Sequence, residues 1–189
     1  MRKTIQRLML DETLDMVFKK IVPGKLLDAG SAFKPYKDKV KCKEYLSLDI
    51  HDHFKPDIVG DVHALPVKNG SFDTIVATEL LEHCHTPSKV VGEFRRVLKK
   101  GGQVVASVPF IYHYHGDMFM KDYWRFTQDG LNELFKEFSK VEIYPYGSFI
   151  TTILNMILCR YFFLTRLSGF FYKLRFGKYP SGFVVLAQK

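Results

Sequence analysis

The stretch LLDAGSAFKPY, Leu26 to Tyr36, restricts the fold of this chain more than any other segment. A short apolar run that ends in Asp-x-Gly reads as a buried strand passing into a tight turn, with main-chain N–H groups presented to a ligand. The next apolar run, YLSLDI, closes on an acid, Asp49, about 20 residues further on. An acid at the end of that second strand can accept hydrogen bonds from both hydroxyls of a ribose. The pair points to an α/β sheet that holds a nucleoside.

The glycines narrow the choice of nucleoside. A dinucleotide fingerprint, G-x-G-x-x-G, needs its later glycines so that a pyrophosphate can approach the backbone. Here Gly30 is followed by Ser31, Ala32 and Phe33. A ribose-bearing ligand without phosphate, S-adenosylmethionine, therefore fits better than NAD. The same residues also suit an ordinary strand-to-helix turn, so the rest of the chain must decide.

Apolar and turn signals along the chain repeat the pattern. Ile5, Leu8, Met9, Leu14, Val17, Phe18 and Ile21 form a helical stripe that ends at Pro23-Gly24. Strands are expected at Lys25–Ala29, Glu44–Asp49, Asp57–Val59, Phe72–Ala77, Gln103–Val108, Val141–Tyr146 and Phe183–Ala187. Val90, Val91, Phe94, Val97 and Leu98 recur at helical spacing, with Thr86, Pro87 and Ser88 as start signals and Gly101-Gly102 as a stop after Lys99-Lys100. A further helix carries Leu131, Leu134, Phe135 and Phe138, capped by Thr127. Strands alternating with helices imply a mostly parallel sheet covered on both faces.

At 189 residues the chain suits one domain, 1–189. Arg2, Lys3, Arg7, Asp11, Glu12 and Asp15 interrupt the first 20 residues, so no secretory leader is expected. Cys42, Cys84 and Cys159 are odd in number and scattered, which suits buried free thiols and a cytoplasmic location. The net charge of +8 admits nucleic acid, an anionic membrane surface or an acidic small molecule. No acid follows Glu142, while Arg160, Arg166, Lys173, Arg175, Lys178 and Lys189 do.

FKPDIVGDVHALPV, SFDTIVATELLEH and EFRRVLKKGGQVVASVP follow LLDAG in an order and spacing that resemble the class I S-adenosylmethionine-dependent methyltransferases. The branch resembled is the broad type 11 group, with D-x-x-x-L-P, E-x-L-E-H and R-x-L-K-x-G-G, and the likeness runs from Leu26 to Pro109. It implies a Rossmann-like seven-stranded sheet with the last strand antiparallel. It also implies that Asp28 and Gly30 lie beside the amino-acid part of the cofactor, with Ser31 and Ala32 shaping the turn. Asp49 then takes the ribose, Ile50 flanks the adenine, and Asp61 with the Val62 backbone reads the ring edge. Thr78 and Glu79 line the methionine side. Ala32 stands where many relatives have a second glycine.

The methyl acceptor is less legible. FIYHYHGDMFMKDYWRFT follows the fifth strand and gathers His113, His115, Asp117, Asp122, Tyr123, Trp124 and Arg125. His113 or His115 suits a general base. The spacing His113-x-His115-x-Asp117 could chelate an ion but lacks a clear fourth ligand, so no metal is assigned. ELLEH, with His83-Cys84-His85, is expected to order a helix start, Trp124 to anchor packing, and Arg125 to meet an anionic acceptor or a nearby acid. Ser148 to Tyr179 forms a hydrophobic, basic insertion at about 148–179, broken by Arg160. It suits a helix lying in a membrane interface, or else a cover over the acceptor pocket or a homodimer contact.

The leading expectation is methylation, at oxygen, of a small-molecule, glycan or lipid-linked acceptor. An RNA methyltransferase is the first alternative. No appended RNA-binding domain or N-P-P-Y tetrad supports it, so nucleic acid is not the expected partner. A non-catalytic S-adenosylmethionine-binding scaffold is the second.

Overall fold

The computed structural model describes residues 4–118, 120–158 and 179–189. Seven strands form one sheet: β1 (Lys25–Ala29), β2 (Glu44–Asp49), β3 (Ile58–Val59), β4 (Phe72–Thr78), β5 (Leu98–Pro109), β6 (Lys140–Tyr146) and β7 (Gly182–Gln188). Their spatial order is β3-β2-β1-β4-β5-β7-β6. Strands β1 to β5 pair in parallel, and β7 inserts antiparallel between β5 and β6. The expected architecture is the observed one.

Alternation along each strand sends neighbouring side chains to opposite faces. In β1, Leu26 joins a core under α1 (Ile5–Phe18) with Met9, Leu14 and Val17, whereas Leu27 joins a core with Val90, Phe94 and Leu131. That second core lies under α2 (Pro87–Val97) and α3 (Gln128–Leu134). A fourth helix, α4 (Phe149–Leu158), neighbours α1. Both faces of the sheet are thus covered, and the polar ends of the strands are left to meet a ligand.

Local signals acted largely as read, with four differences. Pro87 opens α2 at a position where its missing N–H costs nothing, but the Thr86 side chain makes no capping bond. The Thr127 hydroxyl does cap α3, accepting from the Gly130 N–H at 3.0 Å. Helix α2 stops at Val97 rather than after Lys100, because Leu98 pairs with Phe72 and Lys99 Nζ bonds the Asp73 carboxylate at 2.8 and 2.9 Å. Gly101, at φ +78°, turns the chain inside β5 instead of ending a helix. Asp57 stays outside β3, because its carboxylate accepts from the Ser47 amide and hydroxyl at 2.8 and 2.5 Å.

The expected insertion at 148–179 lies partly outside the described residues, and Cys159 wholly so. Within α4 the polarity is inverted. Thr151, Thr152 and Asn155, with Ser148 just before the helix, are buried, while Phe149, Ile153, Met156 and Ile157 are exposed. Asn155 bonds Gln6 of α1 through backbone and side chain, and the Thr152 and Ser181 hydroxyls lie 2.7 Å apart. Among the described residues no helix is long and apolar enough to cross a membrane.

Candidate functional site

The carboxyl ends of β1 and β2 are stitched together by the turn between them. Gly30 and Ser31 donate their N–H groups to the Leu48 carbonyl at 2.8 and 3.0 Å, and Gly60 donates to the Asp49 carbonyl at 3.0 Å. Gly30 adopts φ +68°, and a Cβ there would sit 2.7 Å from Leu80 Cδ1, so the turn admits only glycine without displacement. Asp28, Ser31 and Asp49 are buried around it. The Ser31 hydroxyl has no hydrogen-bond partner among the described residues, which is rare for a buried polar atom and marks a place for a ligand group.

Burial raises the Asp28 carboxyl to about pKa 6; the Tyr45 hydroxyl that donates to it opposes the rise, and the Asp49 charge adds to it. A carboxylate kept this far from water gains from a cationic ligand group. Asp49 accepts from the Ala32 N–H through Oδ2 and from the His51 N–H through Oδ1, both at 2.9 Å, which holds the turn against the end of β2. Ile50 is 59% exposed at the rim and Val62 is buried below it. Asp61 uses Oδ1 on the His63 amide and ring at 2.8 and 2.7 Å, leaving Oδ2 for another donor. Thr78 ends β4, and Glu79 follows at φ +50°. This left-handed glutamate is held by the Ser107 hydroxyl, 2.9 Å from its Oε1. Strain of that kind concentrates at functional sites.

Ala32 also lies at positive φ, +38°, where a Cβ is unfavourable by about 1–2 kcal/mol. Ala32→Gly should relieve that strain, but the more flexible unfolded chain returns about 0.4–1 kcal/mol. The expected net is a stabilisation of roughly 0.5 kcal/mol, seen in thermal unfolding as a rise of about 1–2 °C. A fall in the midpoint would show that the side chain is needed for packing.

The loop after β5 is built onto the Leu81–His83 turn after β4. The Glu82 carbonyl accepts from the Tyr123 and Trp124 amides at 2.8 and 3.2 Å, so the loop after β5 is pinned over the end of β4. Trp124, expected to anchor packing, stays 44% exposed and is held instead by its indole N–H on the Cys84 carbonyl at 2.9 Å. Arg125 pairs with Asp122 at 2.5 and 2.7 Å, and that guanidinium holds the Asp122 carboxyl down to about pKa 2.

Asp122 in turn lies 3.1 Å from His115 Nδ1 and accepts from the His115 amide at 2.9 Å. An acid on Nδ1 fixes the tautomer and leaves Nε2 as the basic atom. His113 is exposed; desolvation, with the neighbouring His115 charge second, pushes its pKa below the ordinary value. The structure brings the His115 ring to His83, at a centroid distance of 4.9 Å, and to His113, at 6.3 Å; among the described residues the group that could hold an ion is Glu82, His83 and His115.

The residues His83, Cys84 and His85 diverge. Cys84 is buried, with its thiol pushed up to about pKa 12 by desolvation, and His85 stacks on His63 at 4.3 Å. Glu82, which the sequence reading left without a chemical role, is completely buried beside His83. Its sequence signals are its place in E-x-L-E-H and its position three residues after Glu79, a spacing at which two acids can share one side of a turn.

The family model of the methyltransferase domain matches residues 29–106. A curated relative, an uncharacterized 37.1 kDa protein in a transposon of Streptomyces fradiae, is 39% identical over 51 residues. That stretch is 27% of this chain and 15% of the relative. A structure from Thermotoga maritima, described as an S-adenosylmethionine-dependent methyltransferase and possible histamine N-methyltransferase, aligns with a TM-score of 0.68 at 16% identity, over 98% of this chain and 91% of that one. The 1,6-didemethyltoxoflavin N1-methyltransferase of Burkholderia thailandensis, solved with 1,6-didemethyltoxoflavin and S-adenosylhomocysteine, aligns with a TM-score of 0.64 at 14% identity, over 98% and 78%. At such identities the likeness to these structures is one of fold.

Proposed function

We propose that this chain, which carries the methyltransferase domain in the class I S-adenosylmethionine-dependent fold, methylates a small-molecule, glycan or lipid-linked acceptor at oxygen, working as one domain over residues 1–189. The observation that carries the reading is the ring of buried polar groups around the Gly30 turn: Asp28, Asp49 and the unpartnered Ser31 hydroxyl. These suit a ligand with a cationic amino-acid end and a ribose, and the turn has no second glycine for a pyrophosphate. S-adenosylmethionine supplies an electrophilic methyl on a sulfonium when bound.

In this reading Asp28 and Gly30 hold the amino-acid end, with Thr78 and Glu79 beside it. Asp49 holds the ribose, and Ile50, Asp61 and Val62 hold the adenine. The pinned loop positions the acceptor over the end of β4, where orientation alone contributes much of the acceleration. His113, kept neutral near pH 7, removes the acceptor hydroxyl proton as the oxygen attacks, and His115 orients that hydroxyl through Nε2. S-adenosylhomocysteine should raise the melting temperature of the protein, and NAD should leave it unchanged. Tight NAD binding without an S-adenosylhomocysteine effect would remove the cofactor assignment.

A lipid-linked acceptor is favoured by the inverted polarity of α4. Phe149, Ile153, Met156 and Ile157 present an apolar outer face, followed in sequence by Arg160, Arg166, Lys173, Arg175 and Lys178. Apolar area and basic charge together suit an anionic membrane surface, with the protein peripheral to it on the cytoplasmic side. Flotation should show more protein on anionic than on neutral liposomes, reduced by salt and by Ile153→Ser with Ile157→Ser. Equal indifference to both liposomes would assign the segment to a pocket cover or a homodimer contact.

A further inference from the structure

We propose that Glu82, His83 and His115 form a binding site for one divalent transition-metal ion at the acceptor end of the molecule. One ligand atom from each residue lies within 4.8 Å of the other two. Both Glu82 carboxylate oxygens are buried and accept no hydrogen bond from another described residue.

The neighbouring groups settle which imidazole atoms are free. His83 Nδ1 lies 2.6 Å from the Lys121 carbonyl, an acceptor only, so Nδ1 carries the proton and Nε2 the lone pair. That Nε2 lies 3.8 Å from Glu82 Oε1. His115 Nδ1 faces the Asp122 carboxylate at 3.1 Å, which likewise leaves Nε2 as its lone-pair atom. Asp122 is itself fixed by Arg125. Two imidazoles and the Glu82 carboxyl thus converge, and each imidazole is oriented from behind by a carbonyl or a carboxylate. That is the outer-shell arrangement of metal-ligating histidines.

Two imidazole nitrogens and one carboxylate oxygen suit zinc, iron(II), cobalt(II) or manganese(II) better than calcium, and they leave coordination positions open. Ligands about 2.1 Å from one ion sit roughly 3–3.5 Å apart, so the side chains draw inward on binding. Both imidazoles keep some solvent exposure, 10% and 23% of their side chains, whereas Glu82 has none. The ion would take the place of the proton that burial, with the Glu79 charge second, keeps on Glu82, and would offer an acceptor oxygen a Lewis-acidic partner. His115 would then be a ligand instead of orienting the hydroxyl directly, and proton removal stays with His113. The site stands or falls separately from the cofactor assignment.

The test is titration of chelator-treated, cofactor-free protein with cobalt(II), followed by visible absorption, and with zinc by calorimetry. One ion per chain is expected, with ligand-field bands for cobalt. Glu82→Gln, His83→Ala and His115→Ala should each weaken binding at least about tenfold. His53→Ala, remote from the cluster in the Asp52–Phe54 turn, should leave it unchanged. If Glu82→Gln fails to fold, the two histidine variants carry the test, since their rings are partly exposed. No binding by folded parent protein overturns the site, as does binding that survives all three substitutions. S-adenosylhomocysteine binding in the same samples reports on the cofactor reading independently.

Discussion

Asp49→Ala is expected to weaken S-adenosylhomocysteine binding by roughly 10- to 100-fold, the range that follows from losing charge-assisted hydrogen bonds worth about 1.5–3 kcal/mol. Asp49 is buried at the end of β2, and each carboxylate oxygen already receives one amide, from Ala32 and from His51. Its remaining lone pairs are those a ribose would engage in the proposed reading. The variant therefore loses the ligand contact and the fastening of the cofactor turn together. Asp49→Asn should fall between parent and alanine, since it keeps one acceptor oxygen but sets an NH2 against an amide donor. Asp52→Ala, exposed in the next turn, should bind as the parent does. Calorimetry decides; parent-like affinity in Asp49→Ala would mean that the ribose is held elsewhere.

The second large effect is a pH dependence set by Asp28. Its carboxyl titrates near 6 in the folded protein because burial penalises the charged form. The folded pKa thus lies above the unfolded one, so this group favours the ligand-free fold below about pH 4 and loses that contribution as pH rises through 6. A ligand with a cationic amino group selects the ionised form, so its affinity has the opposite slope and grows as pH rises through 6. At pH 5 only about one molecule in ten has Asp28 ionised, and binding should be about tenfold weaker than at pH 7. Asp28→Asn should flatten that dependence, bind weakly throughout, and stabilise the ligand-free protein near neutral pH. Equal affinity of the parent at pH 5 and pH 7 would remove Asp28 from contact with a charged ligand group.

What the sequence determined by itself was set by local rules. The span LLDA could only be a short buried strand, YLSLD repeated it, and both bounds agree with the structure because apolar length and a closing acid are local quantities. Thr127 capped α3 and Pro87 opened α2 for reasons that act within one turn of helix. The candidate cofactor residues were legible because strands of one direction carry their carboxyl ends to one edge of a sheet.

Other features depended on partners distant in sequence. Pairing with β4 ended α2 at Val97, because Phe72 and Asp73 claimed Leu98 and Lys99. The inside of α4 is its polar face, because Gln6 and Ser181 wait there with hydrogen-bonding groups that apolar side chains could not satisfy. Glu82 and His83 read as a helix start and His115 as a candidate general base until the Tyr123 and Trp124 amides fold the loop back onto the Glu82 carbonyl. Periodicity records which face of an element is apolar. It does not record which distant backbone groups must find a partner, and satisfying those groups is what brought Glu82, His83 and His115 together.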